Sequence, residues 1–319
     1  MDIWKLLPGP VNTIGYPGWY RSAKRILRRK VRGKNGAVAF LLATGMEVAW
    51  FYLTCGVKHR IGYDFWGRGW LLTAKLRSDG TPTSDRLTSE HHACNMLRLL
   101  ELVGVDRAHD TQNSRLPFGR RNGSAAIPLR IGVVVSGNTS DKQFSPEFWS
   151  SVVATLGKKF PVGCIELFGS ESHTGLGAEI CRRHSNCRNL CGTTSVGDLI
   201  EKLPRCTLII SPDTGTAHLA ARLGVPTIVI FTSGCPVWTI PRGTSIAVIR
   251  PDLPCSPCFG AVTCSIDHAC TRAVSPGRVA AAASGLLSLD ADRISFHNRR
   301  LDAESVSSLA VTGKARNAF

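Results

Sequence analysis

The residues best placed to do chemistry lie in one run, Ser211 to Pro226, which reads Ser-Pro-Asp-Thr-Gly-Thr-Ala-His-Leu-Ala-Ala-Arg-Leu-Gly-Val-Pro. It follows the apolar segment Thr207-Leu208-Ile209-Ile210. A short β-branched run, a turn with Asp and Gly, then apolar residues at helical spacing predict a strand–turn–helix unit. Asp213 is expected at or near the helix N-cap. Thr214, Gly215 and Thr216 would then offer free backbone N–H groups, and Gly215 would let an anion approach the chain closely. A helix N-terminus at the carboxyl end of a parallel strand is where α/β proteins hold phosphate. His218 lies four residues past Thr214 and shares a helical face with it. A second strand, Thr227–Phe231, runs into the loop Thr232-Ser233-Gly234-Cys235-Pro236, so two successive strand ends open on one rim. An Asp-capped helix that binds nothing is the plainer reading of the same residues.

A second group able to do chemistry is Cys255, Cys258, Cys264 and Cys270, spaced C-x2-C-x5-C-x5-C. A tight first pair of thiolates suits tetrahedral zinc, and His268 could compete as a ligand. Packing or redox thiols are the alternative. The other eight of the twelve cysteines are scattered and read as small core residues. Met1-Asp2-Ile3-Trp4-Lys5 does not open as a secretory signal, so reduced thiols are expected rather than a disulfide framework.

Elements that must position these residues follow from pattern. A buried strand over Ala37–Ala43 precedes a helix from about Met46 that buries Val48, Phe51 and Leu53. Arg86 to Gly104 reads as an amphipathic helix with Ala93, Met96, Leu97, Leu100 and Val103 on one face. Asp106–Pro128, polar and rich in Arg, Asn, Gly and Ser, reads as a linker. Beyond it strands and helices alternate: Ile131–Val135, a helix from Glu147 to Leu156, Cys164–Phe168, a helix near Leu176–Arg183, Leu208–Ile210, a helix through Ala221, then Thr227–Phe231. That alternation predicts an α/β protein with a parallel sheet covered on both faces.

Composition suits a two-domain globular chain: 319 residues, 43% hydrophobic and 19% charged. The net charge of +16 is unevenly spread, since residues 1–70 carry twelve Lys or Arg against three acidic residues. Arg21, Lys24, Arg25, Arg28, Arg29, Lys30, Arg32 and Lys34 crowd into 21–34. They read either as a solvated helix face or as a surface for phospholipid headgroups or a phosphorylated glycolipid. Nucleic acid fits less well, because aromatic interleaving and recognisable motifs are missing. The most apolar stretch, Ala37–Cys55, carries Glu47 near its middle and Gly45, which argues against a membrane span.

The run Ser211–Pro241, with D-T-G-T-A-H-L-A-A, G-V-P-T and W-T-I-P, resembles glycosyltransferase family 9, the heptosyltransferases of lipopolysaccharide assembly. Weaker agreements precede it in order: Lys58-His59-Arg60-Ile61-Gly62-Tyr63, Gly67-Arg68-Gly69-Trp70-Leu71-Leu72-Thr73, Lys142-Gln143-Phe144-Ser145-Pro146-Glu147, Leu167-Phe168-Gly169 with Glu171, and Leu190-Cys191-Gly192-Thr193-Thr194. The likeness covers roughly 16–284. It implies a GT-B-like fold of two Rossmann-like domains with parallel sheets. It also implies transfer of heptose from ADP-heptose to a lipopolysaccharide inner-core acceptor, with inversion and without a metal.

By the same resemblance Lys142 corresponds to a phosphate-binding lysine and Thr139 to a neighbouring hydroxyl donor, in a loop one residue shorter than the common pattern. Glu171 matches an acidic residue near the ribose or base, or is a solvent-exposed loop glutamate. Thr214 and Gly215 would donate N–H bonds to the diphosphate, while Asp213 caps the helix or touches the sugar. Lys58 and Arg60 would present charge to an anionic acceptor. The implied division is 1–105 for a partial acceptor-side domain, 106–128 for the linker, 129–284 for the donor-binding domain and 285–319 for a polar tail. The family's glycine-rich Gly-Asp turn finds no match in 1–36, as though the first two strand–helix units were absent. Neither Asp2 nor Asp64 is assigned as base, so the catalytic residue stays open. Two readings follow: an active heptosyltransferase of the cytoplasm, at the inner face of the inner membrane, or a truncated remnant that keeps nucleotide-sugar binding.

Overall fold

The computed structural model describes residues 21–31, 36–43, 45–65, 67–77, 91–105, 129–137, 139–160, 162–243, 245–260 and 264–288. The expected linker, 289–319 of the tail, residues 86–90 of the expected amphipathic helix, and Arg32 and Lys34 lie outside them, as do the side chains of Arg21 and Lys24. The described residues divide into two compact units, 21–105 with 237–239, and 129–236 with 240–288.

The smaller unit runs α1 (Arg21–Val31), β1 (Val38–Leu41), α2 (Met46–Thr54), β2 (His59–Asp64), β3 (Ala74–Arg77) and α3 (His92–Glu101). Its three strands pair in parallel in the order β1-β2-β3, with Phe40 opposite Ile61 and Ile61 opposite Ala74. β1 is shorter than the apolar run from Ala37 to Ala43 suggests. One face of the sheet buries Ala39 and Leu41 against Ala49, Phe51 and Leu71, whereas Val48 and Leu53 are only half-buried.

The helix expected over 86–104 is described from His92, whose preceding residue His91 caps it by accepting the N–H of Ala93 at 3.1 Å, and it ends at Glu101. Its buried residues are Asn95 and Leu99, not the stripe of Ala93, Leu97, Leu100 and Val103. Leu99 packs on Ile61, Tyr63 and Phe65, and the Tyr63 hydroxyl donates to the Asn95 carbonyl at 2.6 Å. The sheet thus selects an i, i+4 pair that polarity alone ranks second.

Arg68 sits in a 3-10 turn (Arg68–Leu71) and is wholly buried. Its Nε donates to the Tyr63 carbonyl at 2.9 Å, and one terminal nitrogen reaches the carbonyls of Ala43 at 2.6 Å and Gly45 at 3.0 Å. Burial lowers its pKa, opposed by the charges of Asp64 and Glu47. One guanidinium therefore closes the chain ends that leave β1 and β2.

In the larger unit six strands pair in parallel in the order β6-β5-β4-β7-β8-β9. They are β4 (Leu129–Val134), β5 (Val162–Phe168), β6 (Cys187–Asn189), β7 (Leu208–Pro212), β8 (Thr227–Ile230) and β9 (Ile246–Ile249). The helices are α4 (Pro146–Lys159), α5 (Thr174–Arg183), α6 (Val196–Lys202), α7 (Gly215–Arg222), α8 (Ala269–Arg272) and α9 (Pro276–Ser288). Ile131, Val133, Ile210 and Ile228 are fully buried, as strands covered on both faces require. Trp149, Val152 and Leu156 of α4 and Val279 and Ala283 of α9 fill the layer on one side.

Ser145 starts α4 by accepting the Phe148 N–H at 3.2 Å, with Pro146 in the first turn. α6 opens with a reciprocal Ser195–Asp198 capping box. β6, α6, β9, α8 and α9 were not anticipated. α9 also carries the unit past the expected boundary at 284, because Leu286 and Leu287 pack against the core. Among the described residues no helix is long and apolar enough to cross a membrane.

Removing the Arg68 guanidinium should leave the buried Tyr63 carbonyl and the part-buried carbonyls of Ala43 and Gly45 without a charged donor. Arg68→Ala is expected to destabilise the smaller unit by about 3 kcal/mol, given the usual worth of charge-assisted bonds. Urea denaturation followed by the fluorescence of that unit's tryptophans tests it, and an unchanged midpoint would contradict the role given to Arg68.

Candidate functional site

The larger unit gathers its polar residues where β4, β7 and β8, neighbours in the sheet, release their chains at the carboxyl end. After β4 a 3-10 turn (Ser140–Lys142) delivers Lys142. Its Nζ donates to the Asp213 carboxylate Oδ2 at 2.9 Å and to the Asp213 carbonyl at 3.1 Å. Asp213 leaves β7 with its own N–H still bonded to the Ile230 carbonyl of β8 at 3.1 Å. His218, one turn into α7 and 42% exposed along its side chain, places Nε2 at 3.9 Å from Asp213 Oδ1. Sequence-distant Lys142 and His218 thus both lie against Asp213.

Asp213 falls next to the N-cap of α7, within the expected position at or near it. The N-cap itself is Thr214, which makes no side-chain cap bond. Because the Asp213 N–H is held in the sheet, the helix begins one residue later and the carboxylate turns to Lys142. The Thr214 hydroxyl instead lies 3.0 Å from Ser211 Oγ. Gly215 is exposed, and a β-carbon built on it would meet nothing within 4 Å. The N–H groups of Gly215 and Thr216 lie in the first turn of an eight-residue helix, ahead of any intrahelical acceptor. Open space, unpaired N–H groups, the positive helix end and a lysine make a place suited to an anion.

Electrostatics at this rim follow from partial burial. Burial pushes the Asp213 carboxyl up, but hydrogen bonds from His218 and Lys142 and their charges outweigh it and hold it below the usual carboxylate range. For Asp141, burial again raises the pKa, while bonds from Ser233 and Thr139 and the adjacent Lys142 charge bring it below the ordinary value. Thr139 stands at the N-cap of the 3-10 turn that carries Asp141 and Lys142. Gly137 is obligatory in this loop, since a β-carbon there would stand 2.2 Å from the Lys142 carbonyl oxygen. Glu171 is exposed in the turn after β5, the neighbour of β4, and its carbonyl accepts the Thr174 hydroxyl at 2.8 Å. Asp141 and Ser233 were not singled out from sequence. The available signal was an acidic residue beside the lysine in a loop that follows a fully buried strand.

In the smaller unit Lys58 is exposed, while Arg60 is drawn into backbone bonds. The Arg60 guanidinium donates to the carbonyls of Leu71 at 2.6 Å, Lys58 at 3.2 Å and Val57, so it braces the turn before β2 and is not held out to an acceptor. Asp64 at the end of β2 pairs with Lys75 at 3.3 Å. The cysteine quartet does not assemble as a metal site. Cys255 and Cys258 are exposed, Cys264 is half-buried and Cys270 is buried, and all four are free thiols. Among the described residues no three His, Cys, Asp or Glu side chains are grouped to hold a metal. The Cys264 sulfur instead accepts the His268 N–H at 3.2 Å.

The family model for glycosyltransferase family 9 (heptosyltransferase) matches residues 24–269, and the chain belongs to that family. It is 26% identical over 218 residues to lipooligosaccharide heptosyltransferase 2 of Campylobacter jejuni, covering 64% of this chain and 66% of the relative. The chain thus spans just under two thirds of that relative's length. Two solved structures share the fold. The E. coli ADP-heptose lps heptosyltransferase II has a TM-score of 0.59 at 20% identity, over 86% of this chain and 82% of that one. The E. coli heptosyltransferase WaaC, solved with ADP, has a TM-score of 0.60 at 13% identity, over 83% and 77%. The parallel α/β architecture is therefore that of GT-B heptosyltransferases.

Asp213 provides a test of the geometry in acid. Its folded pKa lies below an unfolded value of about 3.9, so its bonds stabilise the fold above that pH and are lost as pH falls through the folded pKa. Wild-type protein should lose stability more steeply below about pH 4 than Asp213→Asn. Denaturation midpoints measured from pH 6 to pH 2 check this, and parallel curves would show that the carboxylate is not engaged.

Proposed function

We propose that this chain is a heptosyltransferase that moves heptose from ADP-heptose to a lipopolysaccharide inner-core acceptor, with inversion and without a metal. The observation that carries the reading is Lys142, held at 2.9 Å from Asp213 beside the open N-terminus of α7. In such a transfer an acceptor oxygen attacks the anomeric carbon as the bond to the diphosphate oxygen breaks. Negative charge grows on the departing phosphate. Lys142 and the N–H groups of Gly215 and Thr216 are donors set in advance for that charge, the arrangement that stabilises a transition state most. Asp213 and His218 would then face the sugar or hold Lys142 in line. Glu171, at the neighbouring strand end, would meet the ribose or base. No described residue is assigned as the base.

The acceptor side of the proposal rests on charge. Arg25, Arg29 and Lys30 are exposed on α1, a helix without acidic residues in its first turn, and Lys58 adds to the basic character of the unit. Trp50 and Trp70 meet edge to face at 6.2 Å with more than half of each exposed. Exposed amphipathic rings in a unit rich in cationic side chains suit the headgroup level of an anionic bilayer. We therefore place the protein in the cytoplasm, in peripheral contact with the inner face of the inner membrane, where a glycolipid acceptor would be presented. The domain roles proposed from sequence go with this: acceptor recognition by the smaller unit, donor binding by the larger.

ADP should raise the melting temperature, because a ligand that binds only the native state stabilises it by mass action. Lys142→Ala should weaken ADP binding about ten- to hundredfold, the equivalent of one charge-assisted contact. Transfer from ADP-heptose to heptose-deficient lipopolysaccharide, run beside it, decides the activity. An ADP response without transfer would favour a nucleotide-binding remnant, and no ADP response would sink the donor-site assignment.

The acceptor side makes a separate demand. Vesicles rich in anionic phospholipid should retain the protein at low salt and release it as ionic strength rises past about 0.15 M. Equal retention on neutral vesicles would remove the electrostatic argument.

A further inference from the structure

Asp141 is only 7% exposed, although it lies in a three-residue surface turn. Its carboxylate accepts a hydrogen bond from the hydroxyl of Ser233, itself 2% exposed and ninety-two residues away in the loop after β8. A buried carboxylate is costly unless its oxygens are satisfied, so this contact holds two distant loops in a fixed relation. The same loop is anchored from a third segment. The Ser233 carbonyl accepts N–H bonds from Cys258 at 3.1 Å and Phe259 at 2.8 Å, and the Ser256 hydroxyl donates to the Thr232 carbonyl at 2.7 Å.

These contacts close a ring around the anion-suited rim. Lys142 is bonded to Asp213. A β-carbon on Gly234 would stand 3.0 Å from Asp213 Oδ2, so the loop after β8 lies directly against that carboxylate. Gly234 is joined covalently to Ser233, Ser233 is bonded to Asp141, and Asp141 is the residue before Lys142. In a 3-10 turn successive side chains diverge by roughly 120°, since there are three residues per turn. With Asp141 pinned inward to Ser233, the direction left to Lys142 is the one toward Asp213.

We propose that Asp141 is a positioning residue of the donor site, acting through Ser233 to aim Lys142 and to hold the loop after β8 against Asp213. It touches neither substrate nor reacting atoms in this account. The proposal deepens the donor-site reading and rests on it. Its physical content is preorganisation: the lysine is fixed before the ligand arrives, so less ordering is needed on binding.

The experiment compares Asp141→Ala, Asp141→Asn, Ser233→Ala and the double alanine variant by ADP titration calorimetry, alongside unliganded melting curves. Asp141→Ala and Ser233→Ala should each weaken ADP about tenfold, and the double variant should be no worse than either single, since both break one link. Asp141→Asn keeps an oxygen acceptor for Ser233 and should recover most of the affinity. In the transfer assay the loss should appear in both KM and kcat, because Lys142 meets the diphosphate in the ground state and the additional charge that grows on it in the transition state. A merely structural role would lower the melting temperature and leave the folded fraction's ADP affinity unchanged, and that result would overturn the proposal.

Hydrogen exchange of the unliganded protein separates this proposal from the reading beneath it. Asp141→Ala should raise exchange in 139–143 and 232–236 together. If wild type binds no ADP, the donor-site reading fails by itself, and exchange still decides whether Asp141 links the loops. Unchanged exchange in 232–236 would refute the link. Should Asp141→Ala fail to fold, Ser233→Ala and Asp141→Asn carry the same comparison.

Discussion

Burial of the central strands on both faces is the constraint from which the rest of the larger unit follows. Ile131 and Val133 of β4, Ile209 and Ile210 of β7 and Ile228 and Val229 of β8 have no accessible surface, so the middle of the sheet has no room for unpaired polar groups. Polar side chains can converge only where the strands end. Parallel pairing puts three such ends side by side, and α7 starts there without a side-chain cap on its N-terminus. The Lys142–Asp213 pair, the loop after β8 and the N-terminus of α7 occupy that rim together for this reason.

The smaller unit solves a related problem with a charge. Its three strands are short, and the chain leaving β1 presents carbonyls at Ala43 and Gly45 close to the turn after β2. A fully buried arginine supplies the donors. Burying a guanidinium is unfavourable by itself, and it is tolerated here because each contact is a charge-assisted bond and Asp64 and Glu47 stand nearby. Arg60 does similar work one turn earlier in the chain. Two arginines that look like surface charge in the sequence are therefore part of the backbone framework, which leaves Lys58 and the exposed side of α1 as the cationic surface.

The cysteines make the opposite point about spacing. Among the described residues the four thiols at suggestive intervals form no metal site: two are exposed, one is half-buried and one, Cys270, is buried within α8. Elsewhere two cysteines with no suggestive motif, Cys181 at the end of α5 and Cys187 at the start of β6, bring their sulfurs to 2.9 Å, and burial raises the Cys187 thiol pKa well above its ordinary value. Interval in sequence measures the length of chain available, whereas contact depends on what that chain folds around.

By itself the sequence determined the alternating strands and helices from Ile131 to Arg183 and from Leu208 to Phe231, the rim on which Asp213, Thr214, Gly215 and His218 lie, and the resemblance that singled out Lys142. Those features rest on local periodicity and turn chemistry, which are written over ten to fifteen residues and need no partner. Short or weakly patterned elements, β6 with three residues and β9 with four, were not legible, because pairing with a neighbouring strand is what makes them strands. Only the tertiary structure decided that α3 buries Asn95 and Leu99, that Thr214 caps α7, and that Asp141 turns inward to Ser233. Each of those outcomes depends on a contact across a long stretch of chain, whose free energy comes from burial and from satisfying polar groups at one place. Such terms exist only once the sheet has formed.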